Sequence, residues 1–269
     1  FISTRDIWFL ISRKLQGNKE NTMKREVNSI NLLFPVLNER LRLQKGIETT
    51  IAYVREQVKI PCKLTILDNG SEDETPEIGK KLEEAYPEVT YVRVGERGVG
   101  VAFRKGIELN DCDIVGYMDI DLSTDLKYLG KTIEMFQQDP ELQYVNGTRF
   151  SKESDTKGRK WYRKITSMGL VFLLKTIFHM KATDALCGFT FLRKEEAEQL
   201  VAESSQDNGW FYTVEFLLRA ERDGMKICDM PVEWQEDYNT TVKVFKTIKN
   251  YIIQIHRLRK ALKSEKKGA

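Results

Sequence analysis

From Ile30 onward, short β-rich runs alternate with stretches of helical periodicity. The runs that read as strands are INLLFPV, CKLTILDNGS, VTYVRVG, CDIVGYMDIDL and YVNGTRF, and a helical pattern separates each run from the next. This alternation is typical of a parallel or mixed sheet covered by helices. We therefore predict an α/β fold with a mixed, mostly parallel sheet flanked by helices.

Polar residues end the first, second and fourth of these predicted strands. They are Asn38 and Glu39, then Asp68 and Asn69, then Asp119 and Asp121. In an open parallel sheet, ligands bind beyond the carboxyl ends of the strands. The sequence therefore predicts a ligand site at this edge of the sheet, with acids from three strand ends pointing towards it.

Asp119 and Asp121 stand two residues apart in the stretch YMDIDLSTD. Residues i and i+2 of an extended segment project to the same side, so the two carboxylates converge. Their repulsion raises at least one pKa unless a cation relieves it. Carboxylates and substrate phosphates together form the oxygen shell that Mg²⁺ or Mn²⁺ prefers. The pattern predicts a metal that bridges the protein to a phosphorylated substrate; two solvated acids in a strand-end turn are the alternative.

A glycine-rich stretch, GERGVG at residues 95–100, opens a helical pattern. It lacks the GK[ST] ending of a P-loop, and Phe103 stands where a dinucleotide-binding fingerprint has its last glycine. Neither a kinase nor a dehydrogenase is supported. We expect the glycines to permit a tight turn near a nucleotide, with Arg97 or Lys105 available to its phosphates.

Composition excludes several other classes of protein. The 269-residue chain is 41% hydrophobic and 31% charged, as is usual for a soluble globular protein, and its net charge of +3 is too small to predict nucleic-acid binding. The four cysteines and two histidines do not cluster, so neither a disulfide framework nor a zinc site is indicated, and a reducing cytoplasm fits best. No run reaches the roughly eighteen apolar residues of a membrane span.

Four ordered motifs, FPVLNE, LDNGSEDET, ERGVGVAFRKGI and YMDIDLSTD, resemble those of the family-2 glycosyltransferases, which have the Rossmann-like GT-A fold. The resemblance, which extends over residues 30–234, implies that Pro35 and Glu39 line a nucleotide pocket and that Asp68 contacts the base. It also implies that Asp119 lies near the ribose and the metal, and that Asp121 holds the metal. With the adjoining polar residues, the expected nucleotide-sugar site is Pro35, Asn38, Glu39, Asp68, Asn69, Arg97, Lys105 and Asp119.

The later motifs NGTRF, WYRKITSMG, TDALCGFTFLRKE and FYTVEFLLRAERDGMKICDMPVEW resemble the polyprenyl-phosphate sugar synthases, the group of dolichyl-phosphate mannose and glucose synthases. The resemblance implies that Arg149, Arg163 and Ser167 hold the phosphate of a lipid acceptor, and that Ser123 lies beside the metal. Arginine suits this role because its guanidinium meets phosphate oxygens bidentately. The expected metal ligands are Asp119, Asp121 and Ser123.

We expect an inverting displacement of a UDP or GDP leaving group, assisted by Mg²⁺ or Mn²⁺. The class of acceptor decides which catalytic groups this reaction needs. A phosphate acceptor is already an anion and needs positioning by arginines. A glycan or protein hydroxyl needs a general base, for which Asp184 and Glu215 are candidates. A nucleotide-sugar-binding protein without turnover is a third possibility. The expected catalytic residues are Asp121, Arg149, Arg163 and Asp184.

Three segments follow from this interpretation: an N-terminal extension at 1–26, a GT-A catalytic domain at 27–240 and a basic amphipathic helix or tail at 241–269. Two features depart from the family pattern. Thr213 stands where the family often has an acid, and the C-terminal membrane spans of many relatives have no counterpart here. We therefore expect peripheral contact with the cytoplasmic membrane face through residues 168–180 and the basic tail. The alternatives are that residues 168–180 form a buried helix and that the tail is a solvated helix.

Overall fold

The computed structural model describes residues 25–158, 161–235 and 244–268, so residues 1–24 of the predicted N-terminal extension lie outside the described residues. The described strands are β1 Ile30–Val36, β2 Cys62–Asp68, β3 Val89–Arg93, β4 Ile114–Met118, β5 Tyr144–Thr148, β6 Asp155–Lys157, β7 Phe189–Arg193, β8 Ile227–Pro231 and β9 Glu233–Gln235. The described helices are α1 Leu43–Gln57, α2 Thr75–Ala85, α3 Val99–Glu108, α4 Lys127–Gln138, α5 Trp161–Phe178, α6 Lys194–Glu203, α7 Phe211–Arg222 and α8 Val244–Gly268.

Seven strands form one sheet in the order β3-β2-β1-β4-β7-β5-β8. All neighbouring strands are parallel except β7, which runs antiparallel to both β4 and β5. The remaining strands, β6 and β9, form a separate parallel ribbon. The predicted mixed, mostly parallel sheet flanked by helices is confirmed.

Both faces of the sheet are covered, which explains why its strands read as nearly continuous apolar runs. Successive residues of β1 alternate between two hydrophobic clusters: Leu32 and Phe34 pack with α1, α2 and α4, whereas Leu33 packs with α3, α5, α6, α7 and α8. Tyr251 and Ile255 of α8 are buried in the second cluster. The predicted C-terminal helix therefore forms and packs on the domain.

The strand order reverses between β1 and β4, which are adjacent although two strands and three helices separate them in the chain. A crevice opens at such a switch point because the connections on its two sides leave in opposite directions. The residues that follow β1 and β4 begin at Leu37 and Asp119. The fold thus brings the predicted strand-end acids to one edge of the sheet.

Candidate active site

Asp119 follows β4 directly and is held by two neighbours. The Tyr117 hydroxyl donates a hydrogen bond to Asp119 Oδ1 at 2.6 Å, and the Asp119 amide donates to the Gly188 carbonyl at 3.3 Å. A Cβ atom at residue 188 would overlap the Asp119 carboxylate. Glycine is therefore required at this position, because the backbone approaches the acid more closely than any side chain permits.

Asp121 lies in the turn that follows β4. The Ser123 amide donates to Asp121 Oδ1 at 2.9 Å, and Leu122 between them has a left-handed φ of 53°. The Ser123 side chain is buried. Ser123 thus positions Asp121 through its main chain, and its predicted place beside a metal stays a prediction.

The surroundings of Asp119 disfavour its negative charge. Burial, and then the charge of Asp121, raise the pKa of Asp119 to about 6, while the Tyr117 hydroxyl and the Arg149 charge act in the opposite direction. No group of three or more His, Cys, Asp or Glu side chains that could hold a metal occurs among the described residues. The acid pair therefore fits a divalent ion that takes its remaining oxygen ligands from a substrate, with Asp119 and Asp121 as the residues that would hold it.

At the end of β2, Asp68 is fully buried. Its carboxylate accepts hydrogen bonds from the Ser71 amide at 2.8 Å and from the Tyr91 hydroxyl at 2.6 Å. Burial and then this bond raise the pKa of Tyr91. The neighbouring Asn69 is also buried, and its Oδ1 has no hydrogen-bond partner among the described residues. Because an unsatisfied buried acceptor costs about 1–3 kcal/mol, Asn69 offers a ligand an unused acceptor.

Asn38 links the ends of β1 and β2. It has a left-handed φ of 57°, donates its amide to Ser71 Oγ at 2.9 Å and accepts at Oδ1 from the Glu72 amide at 2.8 Å. The next residue, Glu39, accepts from Arg42 Nε at 2.6 Å and from Nη2 at 2.8 Å. These contacts hold the two strand-end loops together around the crevice.

Pro35 and Arg97 lie close to these strand ends, but Lys105 does not. Pro35 is paired with Leu67 across β1 and β2, and Arg97 pairs with Glu72, its side chain next to Gly70. Lys105 lies in α3, which runs back from this edge, and it pairs with Glu108 at 3.1 Å. Lys105 lies about 9 Å along the helix axis from its N-terminal end, and its contact with phosphate stays a prediction.

The turn in GERGVG packs against the loop between α6 and α7. Gly98 has a φ of 145°, and a Cβ there would overlap the Asn208 carbonyl. Arg104 donates to the Asp207 carbonyl at 2.7 Å and to Asn208 Oδ1 at 2.8 Å. Gly98 therefore allows the close approach of this stretch to residues 207–208, and the predicted tight turn near a nucleotide stays a prediction.

Arg149 and Asp184 form a buried ion pair. Arg149 Nε donates to Asp184 Oδ2 at 2.7 Å and Nη2 donates to Oδ1 at 3.1 Å, while the Leu186 amide also donates to Oδ1 at 2.9 Å. The side chains are 7% and 0% exposed. Burial favours the neutral acid, but the Arg149 charge and the hydrogen bonds hold the pKa of Asp184 below its ordinary value. Asp184 is therefore inaccessible, weakly basic and occupied in orienting Arg149, and these three features argue against its predicted role as a general base.

Trp234 connects Arg149 to the turn that carries Asp121. The Arg149 guanidinium lies over the Trp234 ring, 5.4 Å from its centre. Trp234 forms a β-bridge with Thr124, and the next residue donates its amide to the Ser123 carbonyl at 2.8 Å. The ribbon of β6 and β9 thus joins the acid-bearing turn to the arginine.

The remaining predicted acceptor residues lie on helices. Arg163 and Ser167 are half-buried and one turn apart on α5, and their role as phosphate ligands stays a prediction. Glu215, the other candidate base, accepts from Arg219 Nε at 2.9 Å and from Ser205 Oγ at 2.5 Å. It lines a cavity beside α8 together with Arg257, so its two partners and its position exclude it as the predicted base.

Three residues around the acid pair, Tyr117, Gly188 and Trp234, were not among the predicted site residues. Tyr117 is signalled by its spacing, since it stands two residues before Asp119 and projects to the same side. Gly188 and Trp234 lie in motifs noted for the resemblance, CGF and PVEW. The contact of Gly188 with Asp119 depends on the pairing of β7 with β4, and the position of Trp234 depends on its bridge to Thr124. Both pairings are long-range, and spacing along the chain does not reveal them.

The seven-stranded sheet and its flanking helices match the GT-A fold, which solved glycosyltransferase structures share. Glucosyl-3-phosphoglycerate synthase from Mycobacterium tuberculosis, in a complex with Mn²⁺, UDP and glucosyl-3-phosphoglycerate, superposes with a TM-score of 0.67 at 16% identity, covering 89% of this chain and 81% of that one. Its complex with Mn²⁺ and UDP-glucose gives a TM-score of 0.66 at 16% identity, covering 90% and 82%.

The chain belongs to glycosyl transferase family 2, whose sequence profile matches residues 32–200. Among its relatives, the glycosyltransferase AglD of Haloferax volcanii is 26% identical over 230 residues, which cover 85% of this chain and 36% of AglD. The dolichyl-phosphate β-glucosyltransferase ALG5A of Trichomonas vaginalis is 27% identical over 228 residues, covering 82% of this chain and 70% of the relative. The chain thus spans about a third of the length of AglD.

Proposed function

We propose that the protein transfers a hexose from a nucleoside diphosphate sugar, UDP- or GDP-hexose, to a polyprenyl phosphate. The observation that carries the proposal is the joining of Asp119 and Asp121 to Arg149 by the ribbon of β6 and β9, which gives one site an acid pair and a buried arginine. The acid pair suits a metal-bound diphosphate, and the arginine suits a second anionic group.

The donor half of the site is built from the loops after β1, β2 and β4. Asp119 and Asp121 would hold Mg²⁺ or Mn²⁺, which when bound neutralises charge on the departing diphosphate. The Mn²⁺ complexes of the mycobacterial neighbour with UDP and UDP-glucose support this choice of metal and donor. Asn69 Oδ1 is available to a donor group of the nucleotide, and Arg97 lies next to the same loop.

In the acceptor half of the site, the contacts of the candidate bases favour a phosphate acceptor over a hydroxyl acceptor. Attack by a hydroxyl requires a base that is free to take its proton, whereas Asp184 is bound to Arg149 and Glu215 is bound to Arg219. A phosphate monoester attacks as an anion, so Arg149, and with it Arg163 and Ser167 on α5, need only position it. The dolichyl-phosphate glucosyltransferase relatives support this acceptor class. Attack opposite to the leaving group inverts the anomeric configuration.

A lipid acceptor places the reaction at a membrane, so the proposed location is the cytoplasmic face, with the protein bound peripherally. Among the described helices, none has the length and apolar character needed to cross a bilayer.

Transfer assays test the proposal directly. The purified chain is incubated with a panel of UDP- and GDP-hexoses and Mg²⁺ or Mn²⁺, with and without a short, water-soluble polyprenyl phosphate. We expect transfer with one donor, lowered by about a hundredfold or more in Asp121→Ala and in Arg163→Ala. Arg163→Ala should keep metal-dependent binding of the nucleoside diphosphate, and the exposed Lys152→Ala is the matched control.

Two results would contradict the proposal. Transfer to glycan or protein hydroxyls, with none to the polyprenyl phosphate, would replace the acceptor class. Tight, metal-dependent nucleotide binding with neither transfer nor donor hydrolysis for any sugar would identify a binding protein without turnover.

A further inference from the structure

Helix α5 exposes an unusual number of large apolar side chains. Trp161 is 74% exposed, Ile165 60%, Met168 50% and Phe172 72%. Their spacing of four, three and four residues places them within about 60° of one another around the helix axis. We call this set, Trp161, Ile165, Met168 and Phe172, the α5 stripe. A continuous apolar stripe on the surface of a soluble domain marks a site of interaction.

The opposite side of α5 faces the protein. Val171 and Leu174 are buried in the second hydrophobic cluster, and helical periodicity places Arg163 and Ser167 on that same side. The helix thus separates its two proposed acceptor residues, on the inner side, from the stripe, on the outer side. A ligand whose phosphate reaches Arg163 lies one helix diameter from the surface on which the stripe is exposed.

Charge selects an anionic partner for the stripe. Helix α5 contains no Asp or Glu, and Lys164 and Lys175 lie on one flank of the stripe by helical periodicity. Five of the eight residues from 157 to 164, in KGRKWYRK, are basic. Basic residues mixed with Trp and Tyr, beside an apolar stripe, are the pattern of helices that lie in the interface of an anionic membrane.

We propose that the α5 stripe is a membrane-docking surface, which inserts into the headgroup region of an anionic bilayer with α5 parallel to the membrane plane. Trp161 and Tyr162 lie at the level of the headgroups, and Ile165, Met168 and Phe172 reach the first part of the acyl layer. The inference rests on the proposed function, because the polyprenyl phosphate acceptor is embedded in the membrane that the stripe contacts. Residues 168–180 do not form this surface as a whole, since Val171, Leu174 and Met180 are buried.

Vesicle binding tests the surface. The full chain is mixed with phosphatidylcholine vesicles, with and without phosphatidylglycerol, and the bound fraction is measured by flotation. We expect binding that requires the anionic lipid, and a loss of at least about tenfold in the double variant Ile165→Glu, Phe172→Glu. Both positions are exposed, so the substitutions leave the core intact. The control is Leu109→Glu at the end of α3, where an apolar residue is 47% exposed away from α5, and it should bind as the parent does.

A second measurement reports on the stripe itself. The tryptophan emission of the parent should shift to shorter wavelength on anionic vesicles, and this shift should be absent in Trp161→Phe because Trp161 is the tryptophan that enters the interface. An unchanged shift in Trp161→Phe would overturn the proposal.

Three further outcomes would overturn the inference. The first is a parent that does not bind anionic vesicles, and the second is a double variant that binds as the parent does. The third is self-association: a concentration-dependent dimer in analytical ultracentrifugation, lost in the double variant while vesicles are not bound, would assign the stripe to a second copy of the chain.

Transfer to the water-soluble acceptor separates the two proposals. Its retention without vesicle binding rejects the docking surface alone, and vesicle binding without transfer rejects the proposed function.

Discussion

Asp184 accepts two hydrogen bonds from the Arg149 guanidinium in a pair that is almost completely shielded from water. Removing one partner of such a pair leaves an uncompensated buried charge. We expect Asp184→Ala to lower the free energy of unfolding by about 3–5 kcal/mol, measured by urea denaturation.

The isosteric variant Asp184→Asn distinguishes orientation from base catalysis. Loss of orientation raises the KM for the phosphate acceptor without moving the acidic limb of the pH–rate profile, because Arg149 remains charged. Loss of a base instead lowers kcat and removes that limb, a result that would restore Asp184 as a catalytic residue.

Gly188→Ala should abolish the metal site while preserving the fold. The added methyl group would overlap the Asp119 carboxylate and force it out of line with Asp121. We expect Mn²⁺-dependent binding of UDP or GDP, measured by calorimetry, to weaken by at least about tenfold. The matched control is Gly95→Ala, because a Cβ at that position meets no atom within 4 Å. Equal affinities in the two variants would contradict the close approach seen at Gly188.

The pKa of Asp119 makes the stability of the metal-free protein depend on pH. Its ordinary value is 3.8, and burial with the Asp121 charge raises it to about 6, so the folded state binds this proton more tightly than the unfolded state does. The charged carboxylate therefore destabilises the fold as pH rises from about 4 to 6. We compare the free energy of unfolding of Asp119→Asn with that of the parent, both measured by urea denaturation in EDTA. The difference in favour of the variant should be about 2 kcal/mol larger at pH 7.5 than at pH 4.5. A gain that is the same at both pH values would assign the effect to something other than ionisation.

Trp234 positions Arg149 through its ring face, so a smaller aromatic ring should serve in part. We expect Trp234→Ala to raise the KM for the phosphate acceptor by about tenfold, since an arginine stacked on an aromatic ring gains about 1–2 kcal/mol. Trp234→Phe should recover most of this loss. The affinity for the metal and nucleotide is the internal control and should change little in either variant. Equal losses in both variants, or a loss of nucleotide affinity alone, would place Trp234 in a different role.

How far the sequence predicts this molecule depends on the range of the contacts involved. The first strand is predicted at Ile30–Val36 and observed there, because a buried parallel strand needs only a local apolar run. The proximity of Asp119 and Asp121, whose charges act on one another, is also local, because one turn of the chain carries both acids, although that turn replaces the extended backbone that the sequence predicted. These features required no knowledge of distant pairing.

The acceptor side could not be predicted in the same way. The partnership of Asp184 with Arg149 joins residues 35 positions apart, and only the pairing of β5 with β7 brings them together. From sequence alone, Asp184 had the features of a free base because its burial could not be inferred. Lys105 is a further case, because its position along α3, about 9 Å from the start of that helix, depends on the direction of the helix, which a motif does not record.

Because strand β7 is reversed, two separate stretches of the chain build this site. The loops after β1, β2 and β4 carry the proposed donor residues, and the chain then leaves the crevice and returns through β7, from the opposite direction, to bring Gly188 against Asp119. Under the proposed function, the donor residues and the acceptor residues therefore lie in separate stretches of the chain, which meet where Gly188 crosses Asp119.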